Sequence, residues 1–521
     1  MIRKHLAGRI DGCKDAATHD EHGGIKAPEI APACSPPAST QIDQATGSIK
    51  SMAPSPILRN ATAAHLSGVN VAHNSSAPET MRPVEPMEQR ANRREWVRAN
   101  PERFVFHRAR PGITGLNAGL QRGSPMRIGL LVLFSAVALA AQVSPKAHEI
   151  HARALVFDAH IHAIGREFYN GGDIGVRKTN GQFDLPRARE GGLGAMFFSL
   201  YVPEAYYPAR LETKQALRQI DCALTQLRKN HDRIDVALNA ADVERIHREG
   251  KIAAVLDMEG SYDLDGDLGV LRVLYRLGLR SAQLSAHNRP NNYADSCCSP
   301  PRWHGLTGHG REVIHEMNRL GMVVNVSHAS DDAISQAIDA SSDPVIATHH
   351  GMRSVNDIPR NMPDWLIGKL AAKGGVIGFQ IGNEFHNPKE FAYRAGHSGG
   401  AFWKPSPNLE REAHMTIEQI DKMIAPQFPM DAFKAPEDLK FTPDDWVAVV
   451  DRAIQLVGED HVALGTDFDG GPTPPRGMRD VRDLPMITAA MVRRGYSEER
   501  IDKFLGGNVL RLFRQVTEKH K

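Results

Sequence analysis

From residue 147 onward, short apolar runs alternate with stretches whose apolar positions recur every three or four residues. The first kind reads as buried strands and the second as amphipathic helices. Eight strands are predicted: Ala154–His162, Leu193–Val202, Ile252–Glu259, Arg280–His287, Met322–His328, Pro344–His349, Gly375–Ile381 and Val462–Asp467. Helical patterns such as Leu211–Lys229, Gly308–Arg319 and Asp444–Leu456 lie between them. Strands alternating with helices build a parallel sheet, and eight such units favour a closed (β/α)8 TIM barrel of the α/β class over an open sheet. Such barrels carry their chemistry at the carboxyl ends of the strands.

The first predicted strand is apolar and then abruptly polar, ending in His160-Ile161-His162. Alternation along a strand turns both imidazoles the same way, about 7 Å apart, where they can hold one metal ion. Other strand ends supply Glu259, His287, His328, His349 and Asp467. A single polar residue at a strand end is commonly a cap or part of a solvated rim. Five imidazoles and two carboxylates converging on one mouth suit zinc, and they exceed the needs of one tetrahedral ion. Two ions sharing a bridging carboxylate is the economical reading. It supplies a bridging hydroxide as nucleophile and a Lewis acid for a carbonyl oxygen.

Several motifs follow in order: Phe157-Asp-Ala-His-Ile-His162, Asp257-Met-Glu-Gly260, Ala294-Asp-Ser296, Gly305-Leu-Thr-Gly-His-Gly310 and Glu316-Met-Asn-Arg-Leu-Gly-Met322. After them come Val326-Ser-His-Ala-Ser330, Pro344-Val-Ile-Ala-Thr-His349, Arg360-Asn361, Gly465-Thr-Asp-Phe-Asp-Gly470 and Gly506-Gly-Asn-Val-Leu-Arg511. From about residue 150 to 516 this ordered set resembles the membrane (renal) dipeptidase family, zinc peptidase family M19, among the amidohydrolase-type barrels. The resemblance implies two zinc ions per subunit, bridged by Glu259. It assigns His160 and His162 to the first ion, with Asp467 close by, and His328 and His349 to the second. It makes His287 the residue that steadies the developing oxyanion and Arg360 the clamp on the substrate's carboxylate, a group the guanidinium fork matches. Asp467 would carry the proton from the bridging water to the leaving amine. The implied substrate is a small dipeptide, including those with a C-terminal D-residue, and the implied assembly is a homodimer.

Three departures stand out. The family usually has Asp where this chain has His162, which adds positive charge to the site and bears on metal preference and substrate class. One extra residue precedes His287. His350 follows His349 where the family has Ser; neighbours on a strand face opposite ways, and the spacings to His328 and Arg360 favour His349. The His-x-His form leaves a second enzymatic reading open, another amidohydrolase such as an N-acyl amino acid or cyclic amide hydrolase. A non-catalytic barrel that binds a small ligand is the third reading, and it leaves the filled chemical roles unexplained.

His304, His309, His386, His397 and His414 fall in loops and receive no role. Asp158 and Asp469 are expected either to orient ligands or to cap backbone. Cys297 and Cys298 are adjacent, make no zinc spacing, and are expected to be poorly placed to bond each other; a link from Cys222 to one of them is compatible with export. The segment from about Gly382 to Pro443, too long for a plain turn, is expected to cover the mouth and set side-chain preference. Its aromatic residues include Phe385, Phe391, Tyr393, Phe402 and Trp403 beside Gly399-Gly400.

The 521 residues carry 63 Lys plus Arg against 61 Asp plus Glu, a net charge of +2, so no global field marks a nucleic-acid or membrane partner. Residues 1–125 are rich in Pro, Ala, Ser, Asn and Arg without periodicity, and disorder is expected there. Ile128 to Ala141 is apolar and shorter than the roughly 20 residues that span a bilayer. Met126-Arg127 before it and the small-x-small site Ala138-Leu139-Ala140 make 126–141 resemble a secretory signal. The expectation is translation from Met126, with 1–125 an over-extended reading frame, and an exported, periplasmic or secreted dipeptidase barrel at 147–521. A disordered leader followed by a buried apolar segment is the alternative. No cysteine follows the run to carry a lipid, and the polar Arg514–Lys521 end offers no anchor. N-terminal sequencing of the natively expressed protein should find a start near Ala141 or Gln142. Peptides recovered from 1–125 would overturn this expectation.

Overall fold

The strands of the barrel are short and all parallel. They are β1 (Val156–Ile161), β2 (Leu193–Val202), β3 (Ile234–Val236), β4 (Ile252–Gly260), β5 (Leu279–Gln283), β6 (Val323–Asn325), β7 (Ile346–His350), β8 (Val376–Phe379) and β9 (Val462–Leu464). This computed structural model describes residues 143–260, 266–285, 287, 291–397, 409–430 and 432–519. The leader 1–125, the segment 126–141, and Gly399, Gly400, Phe402 and Trp403 lie outside the described residues. Strand order is β1-β2-β4-β5-β6-β7-β8-β9, with β3 paired to the side of β4. The seam between β1 and the segment after β9 is joined by His162 N–H to Phe468 O (2.9 Å) and Asp467 N–H to His160 O (2.9 Å). Asp158 reinforces it, one carboxylate oxygen accepting the backbone N–H of both His160 (3.0 Å) and Thr466 (2.9 Å). The result is the (β/α)8 barrel expected, with β3 the one strand that the apolar runs did not announce.

Alternation explains the core. Ala195 and Phe197 of β2, and Ala253 and Val255 of β4, join Phe157, Ala159, Val323, Ile346, Val376 and Ala463 in one buried apolar cluster inside the barrel. Met196, Phe198 and Leu200, and Ala254, Leu256 and Met258, face the surrounding helices. The C-terminal helix Asn508–Thr517 adds Val509, Leu512, Phe513 and Val516 to the inner cluster. Followed toward the carboxyl ends, the inward phase turns polar: Ser199 and Tyr201, Asp257 and Glu259, Asn325 and Ser327. Apolar floor and polar mouth are thus written on the same face of the same strands.

Two strands break phase before their histidines. The β1–β2 register shifts between Asp158 and Ile161, and the β7–β8 register between Ala347 and His350. Such an irregularity moves the following side chains to the other face, so His160, His162 and His349 reach the mouth although Phe157, Ala159 and Ile346 line the floor. Several ladders also end earlier than the apolar runs suggested. His287, His328 and Asp467 lie beyond β5, β6 and β9 instead of on them. His328 and Asp467 adopt left-handed backbone, φ 66° and 64°. Neither residue could continue a strand, and each turns the chain after its ladder has ended.

The segment after β8 folds into short helices that include Asn383–His386 and Pro388–His397. Glu390 is 0 % exposed, and neither of its carboxylate oxygens has a hydrogen-bond partner among the described residues. Burial, then the neighbouring Glu384 carboxylate, pushes it up to about 8 against the pull of Arg394 and Lys440. The folded state therefore holds a proton that the unfolded chain releases near 4.5, and stability falls as pH rises from there to about 8. Glu390→Gln should match the parent at low pH and exceed it by on the order of 2–4 kcal/mol at pH 8.5 in denaturant titrations. A pH-independent difference would contradict this.

Candidate metal centre

Glu259 ends the inward face of β4, 1 % exposed, and its two oxygens serve different neighbours. Oε2 lies 2.6 Å from His160 Nε2 and 3.1 Å from His162 Nε2. Oε1 lies 2.7 Å from His287 Nε2, 3.1 Å from His328 Nε2 and 3.7 Å from His349 Nε2. The imidazoles pair off, His160 with His162 at 3.3 Å and His328 with His349 at 2.9 Å between Nε2 atoms. Asp467 Oδ1 completes the first group, 3.1 Å from His162 Nε2 and 3.8 Å from His160 Nε2. All the residues expected at the mouth therefore meet there. Among the described residues, three overlapping sets could each hold a metal ion: His160, Glu259 and His349; His160, His162 and Asp467; and Glu259, His287 and His328.

These donors fit a metal. With ligand bonds of about 2.0–2.1 Å, the edge of a tetrahedral site is about 3.3 Å. That is close to the spacings among His160, His162, Glu259 and Asp467. Asp467 Oδ1 has no hydrogen-bond donor of its own. Burial opposes charge on His160, yet Glu259 and then Asp257 raise it to about 10. His162, with Glu259 and Asp467 beside it, is raised to about 9. His328 and His349 go the other way, pushed well below the usual imidazole value by burial and then by positive neighbours, Arg360 for His328 and His160 for His349.

The supporting residues were mostly unmarked in the sequence. Asp257, two residues before Glu259 and on its face, sets Oδ2 3.6 Å from His160 Nδ1. Thr348 Oγ1 lies 2.9 Å from His349 Nδ1, and Ser199 Oγ donates to Glu259 Oε2 at 2.9 Å. Period-two reading of β4 could have found Asp257; nothing in residue type alone marks Thr348 or Ser199. Asp158 and Asp469 bind backbone instead of imidazole, Asp469 accepting the N–H of Gln182. His350 is buried with both ring nitrogens unpartnered and stands apart from the cluster, as strand alternation anticipated.

His287, with 15 % of its side chain exposed, is stacked between Tyr201 (ring centroids 4.6 Å apart) and His328 (3.8 Å). Arg360 is 1 % exposed. Its Nη2 donates to the backbone oxygen of His349 at 2.8 Å, while Nε and Nη1 have no partner among the described residues. Phe385, from the segment after β8, lies 5.5 Å from the guanidinium carbon.

One expectation fails. Cys297 and Cys298 are bonded to each other, so neither pairs with Cys222. They occupy a turn, where both side chains can swing to one side; an extended stretch would have kept them apart. The turn is tied to the site by Cys297 N–H to His328 O (2.8 Å) and Ser296 Oγ to His287 O (2.8 Å).

Residues 144–521 match the membrane dipeptidase family, peptidase family M19. Dipeptidase tcpJ of Claviceps purpurea is 32 % identical over 348 residues, 65 % of this chain and 70 % of that protein. The probable dipeptidase PvdM from Pseudomonas aeruginosa superposes with a TM-score of 0.58 at 25 % identity, covering 72 % of this chain and 98 % of the other. A metallopeptidase from Rhodobacter sphaeroides, solved with a phosphinate mimic of the dipeptide L-Ala-D-Ala, gives 0.54 at 26 % identity, covering 70 % and 99 %. With its barrel, its clustered ligand-type side chains and this match, the chain belongs to the membrane dipeptidase family of metal-dependent peptidases.

Proposed function

We propose that the protein is a zinc-dependent dipeptidase that binds two ions, one between His160 and His162 and one between His328 and His349, with Glu259 shared. The observation that carries this reading is Arg360. A buried guanidinium with two unpartnered N–H groups, bonded to the peptide of His349, suits a carboxylate lying close to the metal site. In a dipeptide the free carboxylate is within one residue of the scissile carbonyl, so a clamp at this reach selects short substrates. Because it reads the carboxylate and not the side chain, it accepts a C-terminal D-residue as well. The phosphinate dipeptide mimic held by the Rhodobacter sphaeroides neighbour is in keeping with this.

When bound, the ions supply Lewis acidity toward the carbonyl and acidify the attacking water. The remaining work belongs to side chains. Asp467 receives the proton of the attacking water and delivers it to the leaving amine. His287, held between two rings, meets the carbonyl oxygen as it gains charge. Phe385 and its segment close the side of the site next to Arg360. The same reading carries export with a mature chain beginning near residue 142, a homodimer, and no nucleic-acid partner. Among the described residues no helix is long and apolar enough to cross a membrane.

Purified protein should hydrolyse a panel of L-L and L-D dipeptides, lose that activity to a chelator and recover it with zinc. Arg360→Met should lower kcat/KM about 100-fold, mainly through KM. Zinc-loaded protein that leaves free dipeptides intact but cleaves N-acyl amino acids would replace this reading with the other amidohydrolase one. A second measurement concerns protons. His160 and His162, raised to about 10 and 9, hold protons at neutral pH that a metal must displace; His328 and His349 do not. Affinity at the first pair should therefore rise with pH through the neutral range, with proton release, while the second pair binds without it. Calorimetric zinc titration of the metal-free protein in buffers of different ionisation enthalpy would separate the two classes, and a single proton-silent class would refute the assignment.

A further inference from the structure

Asp467 has two oxygens with different surroundings. Oδ1 faces His162 and His160, whereas Oδ2 accepts a hydrogen bond from Gln380 Nε2 at 3.1 Å. Gln380 is 1 % exposed and follows β8 on the inward phase begun by Val376 and Gly378. Its amide cannot be turned over: Oε1 accepts the backbone N–H of Gly382, so the NH2 group must face Asp467. A side chain at Gly382 would fall 2.6 Å from that Oε1 and from Glu384 Oε2, so it would push on the Gln380 amide. The backbone of Gln380 is held as firmly. Its N–H donates to His350 O (3.0 Å), and its carbonyl accepts from His386 Nε2 (2.6 Å) and Trp446 Nε1 (3.0 Å), both fully buried. Burial keeps His386 neutral at physiological pH, so it serves here as a fixed donor.

We propose that Gln380 is a positioning residue for the reaction: its amide pins Oδ2 of Asp467 so that Oδ1 alone is presented to the attacking water and the leaving amine. The left-handed backbone at Asp467, φ 64°, sets where the carboxylate goes, and the amide sets its rotation. Without that donor the carboxylate can turn and offer both oxygens to a metal, which removes it from proton transfer. The inference rests on the proposed role of Asp467. His386 and Trp446 enter it as the residues that immobilise Gln380.

The test uses Gln380→Met, of similar length and without a donor, and Gln380→Glu, of the same shape with an acceptor facing Asp467. Both are made in the full chain. Gln380→Met should keep the parent's metal content and a KM within about threefold, while kcat falls about 10- to 100-fold. Gln380→Glu should fall further. The visible bands of the cobalt-substituted variants should shift from those of the parent. Unchanged kcat with unchanged cobalt bands overturns the proposal, as does a kcat loss that only tracks lost metal. If the parent proves inactive on dipeptides, the function reading fails separately and the cobalt bands still decide this one. If Gln380→Met does not fold, Gln380→Glu carries the same comparison.

Discussion

The structure turns on one buried carboxylate. Glu259 is a charge at the end of an otherwise apolar barrel, and an unpaired ion there would cost several kcal/mol. It is tolerated because its oxygens divide between two imidazole pairs, at 2.6 and 3.1 Å on one side and 3.1 and 3.7 Å on the other. The two sides compensate it differently. His160 and His162 can answer with protons, so the fold can stand in the absence of metal on their side. His328 and His349, equally buried, face positive neighbours instead, Arg360 for the first and His160 for the second, and are held neutral. Their nitrogens are already in the state that a cation needs.

Bringing strand ends together at Glu259 conflicts with the regularity of strands. An unbroken alternation that puts Phe157 and Ala159 inside would turn His160 out. The register shifts in β1 and β7 reconcile floor and mouth within a single strand. The left-handed residues His328 and Asp467 do the same after β6 and β9. Close backbone packing makes room for it: a side chain at Gly378 or Gly465 would lie 2.0 or 1.8 Å from the carbonyl oxygen of Thr348. Function here is paid for with interrupted ladders, which is why the observed strands are shorter than the apolar runs.

This also separates what the sequence could tell from what it could not. The apolar runs located all eight barrel strands, and the change from apolar to ligand-type residues picked out the seven side chains that meet at the mouth. Those signals depend on residue type and order, which folding preserves. Asp257 was legible and unread, since it shares the face of Glu259. Thr348, Ser199 and Gln380 were not, because their importance lies in which atom each one meets across the barrel. β3, with Asp235 between Ile234 and Val236, lacks the continuous apolar run that marked the equally short β6 and β9. The Cys297–Cys298 bond depends on a turn that adjacency alone does not disclose.

His162 gives these points a chemical consequence. In the family this position is usually a carboxylate, so the first ion would ordinarily have a second negative ligand beside Glu259. Here the carboxylate oxygen available on the Nε2 side of His160 and His162, besides Glu259, is Asp467 Oδ1, 3.1 Å from His162. With imidazole at 162, Asp467 is thus the side chain at which the proposed proton transfer and a second negative ligand would compete. If Asp467 acts as proposed, a carboxylate with both oxygens on a metal has none left to carry a proton, so its orientation decides its role. The hydrogen bond from Gln380 holds Oδ2 on the side away from the imidazoles, and the Gly382 N–H, His386 and Trp446 fix the Gln380 that makes it.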